Sequence, residues 1–563
     1  MMNNKIVSRR NFIAGTACAA LASTLTGKAA GTAGAVVLPD DHREFMRRRK
    51  RRIVMQHDVC WVMWNYAKMH PDGNAPFNRF RDAVFSYADE SGTQINSIWW
   101  DIGGNSVGSV YPSNVFPPPE HWLVKQWFKE GVDWVGEVVK ETRRRKLEVF
   151  WNHRISEVDT IPNGGQDREG RHPLKAAHPD WVLPSSFWKQ GLWNLASVGL
   201  REHKVEVLKE IATRYDLDGI QIDLARHVPF LPPGQQWEQR KHATEFMRMV
   251  RIMLLDLARK RGRPYLLAAR IPQTVEGCRA DGIDLKTWAE QRLVDILTLG
   301  TRSMDVDVEG VRAAVGKDIQ LQPCFDDHHA TDGYRYAPIE FLRGVFANHL
   351  ARGADSVVTF NWAMGPPEIA EQVGGEIAPL THQVAFREIG SPETMAGKDK
   401  IFAVERRGGY PWADGFFNRN DTAPLPAPLG VGDAPSKFVI HISDSPKDGK
   451  TTLKLRVIFF GLEDGDLVEM RFGGRKLGPV TRDPEWKDPQ IFSPKPQPAS
   501  GGKGDYKVNP KQRLCRLEAD IPADTWRHGV NDLDVRLSCR SQTSAGPSVQ
   551  IEKIEIYLHY ERH

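Results

Sequence analysis

Leu217-Asp218-Gly219-Ile220-Gln221-Ile222-Asp223-Leu224-Ala225-Arg226 is the segment around which the rest of the chain can be arranged. It has the pattern of a buried β-strand, because β-branched Ile220 and Ile222 alternate with Gln221 and the apolar run stops at Asp223. The strand therefore places one carboxylate, Asp223, and one guanidinium, Arg226, at its C-terminal end. The plainer interpretation is that Asp223 caps the following helix or neutralises Arg226.

Eight short apolar segments of this kind alternate with amphipathic helical segments from residue 50 onward. The predicted strands are Ile53–Asp58, Ile95–Asp101, Leu147–Asn152, Gly219–Asp223, Tyr265–Arg270, Val294–Leu299, Ile319–Phe325 and Asp355–Asn361. Helical spacing is clear between Phe246 and Leu257, where apolar residues recur every three or four positions before Gly262. Eight such units predict an α/β fold, a closed parallel (β/α)8 TIM barrel over residues 50–380. The rival is a doubly wound open sheet, which needs a Gly-rich phosphate turn longer than Gly103-Gly104.

A second pattern begins after about Pro367, where segments of period two replace the helical ones. These segments are Phe438–Ile442, Thr452–Phe459, Asp466–Phe472, Leu514–Ile521, Asp532–Cys539 and Val549–Tyr560. With turn residues between them, they predict an antiparallel β-sandwich domain over residues 436–563, in which Pro484 to Gly504 form a long loop. Residues 381–435 bridge the two parts and have no clear pattern.

The N-terminus carries Ser8-Arg9-Arg10-Asn11-Phe12-Ile13, followed by an apolar, uncharged stretch to about Gly27. This arrangement is typical of the twin-arginine export signal, with Ala33-Gly34-Ala35 as the cleavage region. We therefore expect residues 1–35 to be a signal peptide and the mature protein to be periplasmic or secreted. The apolar stretch is too short for a comfortable membrane span, so no membrane association is expected after the signal is removed.

Charge and composition narrow the range of partners. With 40% hydrophobic and 26% charged residues, the chain has the composition of a soluble globular protein. The net charge of +5 comes from one basic run, Arg47 to Arg52, and the remainder is nearly neutral. No nucleic-acid partner is therefore expected. The oligomeric state is left open.

The cysteines predict no metal or redox centre. Cys60, Cys278 and Cys324 occur singly, without the C-x-x-C spacing of a zinc or redox site, and no cofactor is expected. Cys515 and Cys539 lie in two predicted strands of the C-terminal region. Export to an oxidising compartment leaves a disulfide between them open.

Active sites of (β/α)8 barrels lie at the C-terminal ends of the strands, and here those positions are polar or aromatic. Fourteen of the seventeen tryptophans also precede residue 363. Flat apolar faces beside carboxylates suit sugar rings, although many of the tryptophans can equally be packing residues. We expect a carbohydrate substrate to be bound by Trp100, Trp151, Asn152, His153, Arg154, Arg226, Arg270, His328, Asn361 and Trp362.

The segment Asp218 to Asp223, followed by Arg226, resembles the fourth-strand signature of exported, family-ten-like putative glycosyl hydrolases with (β/α)8 barrels. It is also similar to the α-amylase motif, in which a Gly-x-Arg-x-Asp strand ends in the nucleophile. Gln221 stands where α-amylases have arginine, and Arg270 ends strand five where they carry the acid glutamate. The resemblance covers about ten residues and implies a glycosidase role for Asp223 alone.

Glycoside hydrolysis needs one ionised carboxylate near the anomeric carbon and one protonated acid near the leaving oxygen. Asp223 is the candidate for the ionised group, with Arg226 keeping its pKa low. For the acid, Asp326 and Asp327 come first because adjacent carboxylates raise one pKa, and Asp101 and Glu157 follow. The sequence thus predicts an exported glycoside hydrolase that cleaves a poly- or oligosaccharide by a two-carboxylate mechanism.

Two alternatives belong to other classes. A non-catalytic carbohydrate-binding protein would share the tryptophans without needing paired carboxylates. A metal-dependent hydrolase or deacetylase could use Asp326, Asp327, His328 and His329, together with His57 and Asp58, although no ligand pair has helical i, i+4 spacing.

Arg154, Arg226 and Arg270 follow three consecutive strands and exceed what Asp223 alone can balance. Arginine suits a planar carboxylate or sulfate, so an acidic glycan with uronic, sialic or sulfated groups is expected if the excess is real. The competing interpretation is that Asp101, Glu157 and Asp159 neutralise these arginines.

Overall fold

The computed structural model describes most of the chain beyond residue 33. The described residues are 34–102, 109–116, 118–119, 121–156, 173–185, 190–300, 303–326, 334, 337–360, 362, 377–406, 423–432, 434–446, 451–488, 491, 512–541 and 548–561.

The first ten strands include the eight strands of a barrel and a small hairpin, β4 and β5. They are β1 Ile53–His57, β2 Ile95–Asp101, β3 Glu148–Arg154, β4 Val182–Leu183, β5 Leu192–Trp193, β6 Gly219–Asp223, β7 Leu266–Ile271, β8 Ile296–Leu299, β9 Gln320–Asp326 and β10 Val357–Phe360. The other eight pair in parallel and close in the order β1-β10-β9-β8-β7-β6-β3-β2. The predicted TIM barrel is confirmed, and β6 has the predicted bounds.

One helix precedes β1, and the others follow the barrel strands and cover the outside. They are α1 Asp40–Arg48, α2 Val59–Lys68, α3 Phe77–Val84, α4 Trp122–Lys129, α5 Trp134–Arg144, α6 Pro173–Ala177, α7 Val198–Arg214, α8 Arg240–Arg261, α9 Val275–Ala280, α10 Leu285–Glu290, α11 Val308–Val315 and α12 Ile339–Ala351. As the spacing predicts, α8 ends at Gly262, which adopts the left-handed conformation with φ 66°.

The strand pleat sorts the barrel residues onto two faces. One apolar cluster contains Trp99, Phe150 and Leu266 from three barrel strands, together with Met46 from α1, and it fills the barrel interior. A larger cluster contains the alternate strand residues, such as Trp100 and Trp151, together with the helices. Successive side chains of a strand point to opposite faces of the sheet. Strand residues in register with the first cluster therefore face the barrel interior, and those that alternate with them face the helices.

The remaining elements form the link and the C-terminal region. They are α13 Ile377–Glu388, α14 Pro392–Met395, β11 Lys400–Ala403, β12 Ala427–Pro428, β13 Ser436–Ile442, β14 Thr451–Phe460, β15 Leu467–Phe472, β16 Arg475–Lys476, β17 Thr481–Asp483, β18 Leu514–Ile521, β19 Gly529–Cys539 and β20 Gln550–Tyr560.

These strands build two antiparallel sheets around a common core. One sheet has the order β11-β20-β14-β18-β17, with β12 added to β20, and the other has the order β13-β19-β15-β16. The predicted β-sandwich is confirmed. The bridging segment 381–435 supplies β11 and β12 to the first sheet, whereas Phe386 and Met395, on α13 and α14, pack in the outer cluster of the barrel.

Cys515 and Cys539 lie on β18 and β19, which belong to different sheets, and both are free thiols. Among the described residues, no helix is both long and apolar enough to cross a lipid bilayer.

Candidate active site

The C-terminal ends of three neighbouring barrel strands bring charged side chains together inside the barrel. In the register of the sheet, Arg154 on β3 is the partner of Asp223 on β6, and Asp223 is the partner of Arg270 on β7. Arg154 lies four positions after Phe150, and Arg270 lies two positions after Ala268, so both face the barrel interior. Asp223 lies between them in the register and faces the same way. Their charged groups therefore meet at the upper end of the barrel interior.

Arg154 pairs with two carboxylates. Its Nη2 donates to Asp101 Oδ2 at 2.7 Å and to Asp58 Oδ2 at 2.9 Å, and its Nε also donates to Asp101 Oδ2 at 3.1 Å. Asp101 and Arg154 are both buried. Asp101 Oδ1 is buried without a hydrogen-bond partner among the described residues. One oxygen of this carboxyl group is thus tied to Arg154 while the other is available for chemistry.

Asp223 is held from two sides. Its Oδ2 accepts a hydrogen bond from Arg270 Nη2 in an ion pair whose two side chains are completely buried. Its Oδ1 accepts the backbone N–H groups of Ala225 at 3.1 Å and Arg226 at 3.0 Å. Part of the plainer interpretation, a capping-type contact with the residues that follow, is therefore correct. The cation that neutralises Asp223 is Arg270 and not Arg226.

The two carboxyl groups have opposite pKa shifts. Burial raises the pKa of Asp101, and the negative charges of Asp58 and Asp223 raise it further against the opposing effect of Arg154. Burial also opposes ionisation of Asp223, but its ion pair with Arg270, together with Arg154 and the backbone donors, holds its pKa below the usual value. The surroundings therefore favour the protonated form of Asp101 and the ionised form of Asp223.

An amide and hydroxyl network lies directly beneath this charged layer. Gln221 Nε2 and Gln322 Nε2 both donate to Thr298 Oγ1, at 2.7 and 2.8 Å, and Ser356 Oγ donates to Gln322 Oε1 at 3.2 Å. Nearby, both amide atoms of Asn152 and the Oε1 of Gln221 are buried without partners among the described residues.

Four residues predicted to bind substrate lie on the outside of the barrel instead. Trp100 donates its indole N–H to Thr142 Oγ1 of α5 at 3.1 Å, and Trp362 donates to the backbone oxygen of Phe325 at 3.1 Å. The other two, Trp151 and His153, alternate with inward-facing residues of β3. This corrects the prediction that these side chains line the mouth. Period-two alternation turns Trp100, Trp151 and His153 toward the helices. Trp362 lies beyond the end of β10 and packs against helical Phe346 and Phe386 in the outer cluster.

Of the other predicted residues, Asp326 and Arg226 lie at or just after the end of a strand. Asp326 is completely buried at the end of β9, on the same inward face as Cys324. Arg226 is half-buried after β6. The predicted positions Asp327, Glu157, His328 and Asn361 lie outside the described residues.

The sequence predicted more positive charge on Arg154, Arg226 and Arg270 than Asp223 can balance. The structure corrects this for Arg154 and Arg270. Arg154 pairs with Asp101 and Asp58, and Arg270 pairs with Asp223. These ion pairs neutralise both guanidiniums internally. The competing interpretation was right about Asp101, whereas Glu157 and Asp159 lie outside the described residues.

Asp58 has a role that the sequence did not suggest, although its position at the end of the first strand was a signal. Barrel closure places this carboxylate beside β2 and within reach of Arg154. Within the described part of the chain, no group of three or more His, Cys, Asp or Glu side chains could hold a metal ion. His329 and its neighbours back to Asp327 are outside that part.

A closed (β/α)8 barrel with carboxyl groups at its strand ends defines the class of barrel proteins whose sites lie at the C-terminal ends of the strands. Within this class, residues 81–241 match the family described as Glycosyl hydrolase-like 10. The match includes β2, β3 and β6, and it confirms the resemblance to family-ten-like glycosyl hydrolases. No curated protein matches the chain by sequence.

Solved structures with similar folds include three carbohydrate-active proteins. The chain is 14% identical to α-L-fucosidase isoenzyme 2 from Paenibacillus thiaminolyticus, covering 60% of this chain and 50% of that one, with a TM-score of 0.37. It is 14% identical to the glycoside hydrolase domain of PgaB (BpsB) from Bordetella bronchiseptica, covering 61% of this chain and 99% of that one, with a TM-score of 0.39. It is 12% identical to an Anoxybacillus α-amylase, covering 87% of this chain and 99% of that one, with a TM-score of 0.36. The chain thus spans half the length of the fucosidase.

Proposed function

We propose that the protein hydrolyses glycosidic bonds with Asp223 as the ionised carboxylate and Asp101 as the acid. The observation that carries the proposal is the pair of buried carboxyl groups at the ends of β2 and β6, the strands on either side of β3, each beside an arginine and with opposite pKa shifts. Environments that push two carboxyl pKa values apart are the usual mark of an acid and base assignment in glycosidases. The family match over residues 81–241 supports the same class of reaction.

Asp101 replaces Asp326 and Asp327 as the first choice for the acid. Its Oδ2 accepts two hydrogen bonds from Arg154, so the proton resides on the unpartnered Oδ1. From there it can pass to the glycosidic oxygen as the bond to the anomeric carbon breaks. Asp326 remains the alternative, since it also lies inward at a strand end.

Asp223 acts on the other side of the same bond. With Arg270 bound to Oδ2 and two backbone N–H groups bound to Oδ1, it stays ionised and cannot turn away. Its negative charge stabilises the oxocarbenium-like transition state, either electrostatically or by attack on the anomeric carbon. Water then completes the hydrolysis, and Asp101 recovers its proton.

The test is substitution of Asp223 by Asn, assayed on a panel of plant, algal and host glycans. We expect turnover to fall by about 10³-fold or more, while glycan binding persists. Asp216→Asn is the matched control, because this exposed carboxylate precedes the same strand and should leave turnover unchanged. Undiminished turnover by Asp223→Asn would overturn the proposal.

The same assay separates the alternative classes. A carbohydrate-binding protein would bind glycans without releasing any product. A metal-dependent hydrolase would lose turnover after chelation and regain it on addition of a divalent ion, whereas the two-carboxylate mechanism needs no metal.

The proposal covers neutral and acidic glycans alike. Since Arg154 and Arg270 are neutralised by carboxylates, they do not supply free charge for an anionic substrate. The carbohydrate itself is the proposed partner.

We also propose that the protein is exported, on the strength of Arg9 and Arg10 ahead of an apolar segment. Replacing both with Lys should leave the protein in the cytoplasm, as measured by fractionation of cells expressing the full chain. Normal export of the double variant would refute this proposal.

A further inference from the structure

A row of small and polar side chains runs along the inner wall of the barrel, across four adjacent strands and just below Asp223. In the sheet register, Asp101 on β2 is the partner of Asn152 on β3, Asn152 is the partner of Gln221 on β6, and Gln221 is the partner of Ala268 on β7. All four residues face the interior, and neighbouring strands are about 4.8 Å apart. Their side chains are therefore adjacent.

The two amides in this row have hydrogen-bonding capacity that nothing described in the protein uses. Asn152 is completely buried, and neither its Nδ2 nor its Oδ1 has a partner among the described residues. Gln221 donates from Nε2 to Thr298, but its Oε1 is likewise unpartnered. We call Asn152 and Gln221 the amide floor. A buried amide without a partner is costly and calls for an explanation.

The charged groups above the amide floor lean away from it. Arg154 follows Asn152 on β3 but reaches toward Asp101 and Asp58, on β2 and β1. Asp223 follows Gln221 on β6 but is held by Arg270 on β7. The amide floor therefore lies below the region between the two ion pairs, with Asp101 on one side of it and the small side chain of Ala268 on the other.

The chemistry of this space favours neutral hydroxyl groups over an anion. Asn152 offers one donor and one acceptor, and Gln221 Oε1 offers a second acceptor, which together match adjacent sugar hydroxyls. Asp101 and Asp223 flank this row, and the arginines beside them, Arg154 and Arg270, are already paired with carboxylates. A carboxylate or sulfate placed on the amide floor would meet the negative charge of Asp223, and these two paired arginines would not compensate for it.

We infer that Asn152 and Gln221 bind the hydroxyl groups of a neutral sugar ring at the point of cleavage and determine specificity for it. The ligand class rests on the proposed function, but the assignment of the two amides rests on their geometry. An amide kept unpartnered for a ligand predicts an uncommon result: its removal should weaken binding without weakening the ligand-free fold.

The experiment replaces Asn152 with Leu, of nearly equal size, in the full chain carrying Asp223→Asn so that bound glycan is not consumed. Probes are tetrasaccharides of glucose, galactose, mannose and xylose, with tetragalacturonate as the anionic member. For the neutral probe that the parent binds best, we expect the Kd to rise about tenfold or more. The melting temperature of the ligand-free protein should stay the same or rise.

Gln322→Met is the matched control, because Gln322 is equally buried in the interior but has both amide groups hydrogen-bonded. It should lower the melting temperature. Asn152→Ala, which cannot overpack the site, serves as a second variant with the same expected loss of binding. A fall in the melting temperature of both Asn152 variants to that of Gln322→Met would show a structural role and overturn the inference.

The outcomes separate this inference from the proposed function. Hydrolysis that depends on Asp223, combined with unchanged affinity of Asn152→Leu, overturns the inference alone. Asn152-dependent binding of a neutral glycan without any hydrolysis overturns the proposed function alone. A parent protein that binds tetragalacturonate best, or binds no probe at all, overturns the assignment of a neutral ring.

Discussion

Asp101 and Asp223 are buried to the same degree, so burial alone does not distinguish their protonation states. The difference comes from their partners. Asp223 has its own arginine and two backbone donors, whereas Asp101 shares Arg154 with Asp58 and has one oxygen without a partner among the described residues. At the residue scale, the site is thus defined by how two cations are divided among three carboxylates.

The opposite pKa shifts predict a bell-shaped pH profile of kcat/KM. Activity should fall at low pH as Asp223, with its lowered pKa, becomes protonated, and at high pH as Asp101, with its raised pKa, loses its proton.

Asp101→Asn should lower kcat by about 10²–10⁴-fold on natural glycans and much less on aryl glycosides. Their leaving groups depart without protonation. Equal losses on both substrate types would assign the acid to another residue.

Arg270→Met should reduce turnover of neutral and acidic glycans to the same extent. Arg270 is the cation bound to Asp223, and its removal leaves a buried carboxylate without its counter-ion. The pKa of Asp223 should then rise, so the acidic limb of the pH profile should move to higher pH. Loss confined to acidic glycans, with an unmoved limb, would instead identify Arg270 as a substrate-binding residue.

At the element scale, the basic run that dominates the net charge serves the barrel. Met46 of α1 packs into the interior apolar cluster, and the residues that follow α1 carry the run to β1. Arg51 binds Glu148 at the start of β3 through Nε at 2.7 Å and Nη2 at 2.6 Å, and both side chains are buried. The run therefore fixes α1 at the N-terminal end of the barrel, opposite the candidate active site.

Arg51→Leu should destabilise the protein by about 3 kcal/mol, because buried Glu148 loses two charge-assisted hydrogen bonds and keeps Arg49, at 3.7 Å, and the hydroxyl group of Ser97 as its remaining described partners. Arg48→Leu in the same run is the control. The Arg48 side chain is 76% exposed and pairs with the exposed Glu44, so its loss should change stability by less than about 0.5 kcal/mol. Denaturant unfolding measures both, and equal effects would refute this role for Arg51.

At the scale of the whole molecule, the barrel and the sandwich share an interface built on close backbone approach. Helix α12 of the barrel lies against β11, and Gly344 faces the carbonyl oxygen of Ile401, where no side-chain atom would fit. Glu405, just after β11, accepts the backbone N–H groups of Met304 and Asp305 at 2.8 Å each. The two domains are therefore joined by specific contacts as well as by the chain.

Gly344→Ala should lower the melting temperature of the full chain, since its methyl group would overlap the backbone of β11 and separate the two domains. Overpacking of this kind costs about 1–3 kcal/mol. Gly430→Ala is the control, because nothing lies within 4 Å of the added methyl group. An unchanged melting temperature for Gly344→Ala would show that α12 and β11 can separate freely.

The eight barrel strands and the six main sandwich strands were predictable because hydrophobic periodicity is a local property of the chain. Period two and period 3.6 identify strands and helices without knowledge of their partners. Asp223 was found by the same means, as the residue where one apolar run stops. Trp100 and Trp151 were misplaced because adjacent strand residues face opposite sides, and only the sheet register shows which side is inside.

The amino-acid sequence alone was sufficient to determine a (β/α)8 barrel followed by a β-sandwich, with carboxylates at the strand ends. The tertiary structure decided which charges pair. Asp58, Asp101 and Arg154 are up to 96 positions apart, and closure of the barrel brings them within hydrogen-bonding distance. A pKa depends on the burial and charges around a group in space, so the roles of Asp101 and Asp223 follow only from the folded barrel.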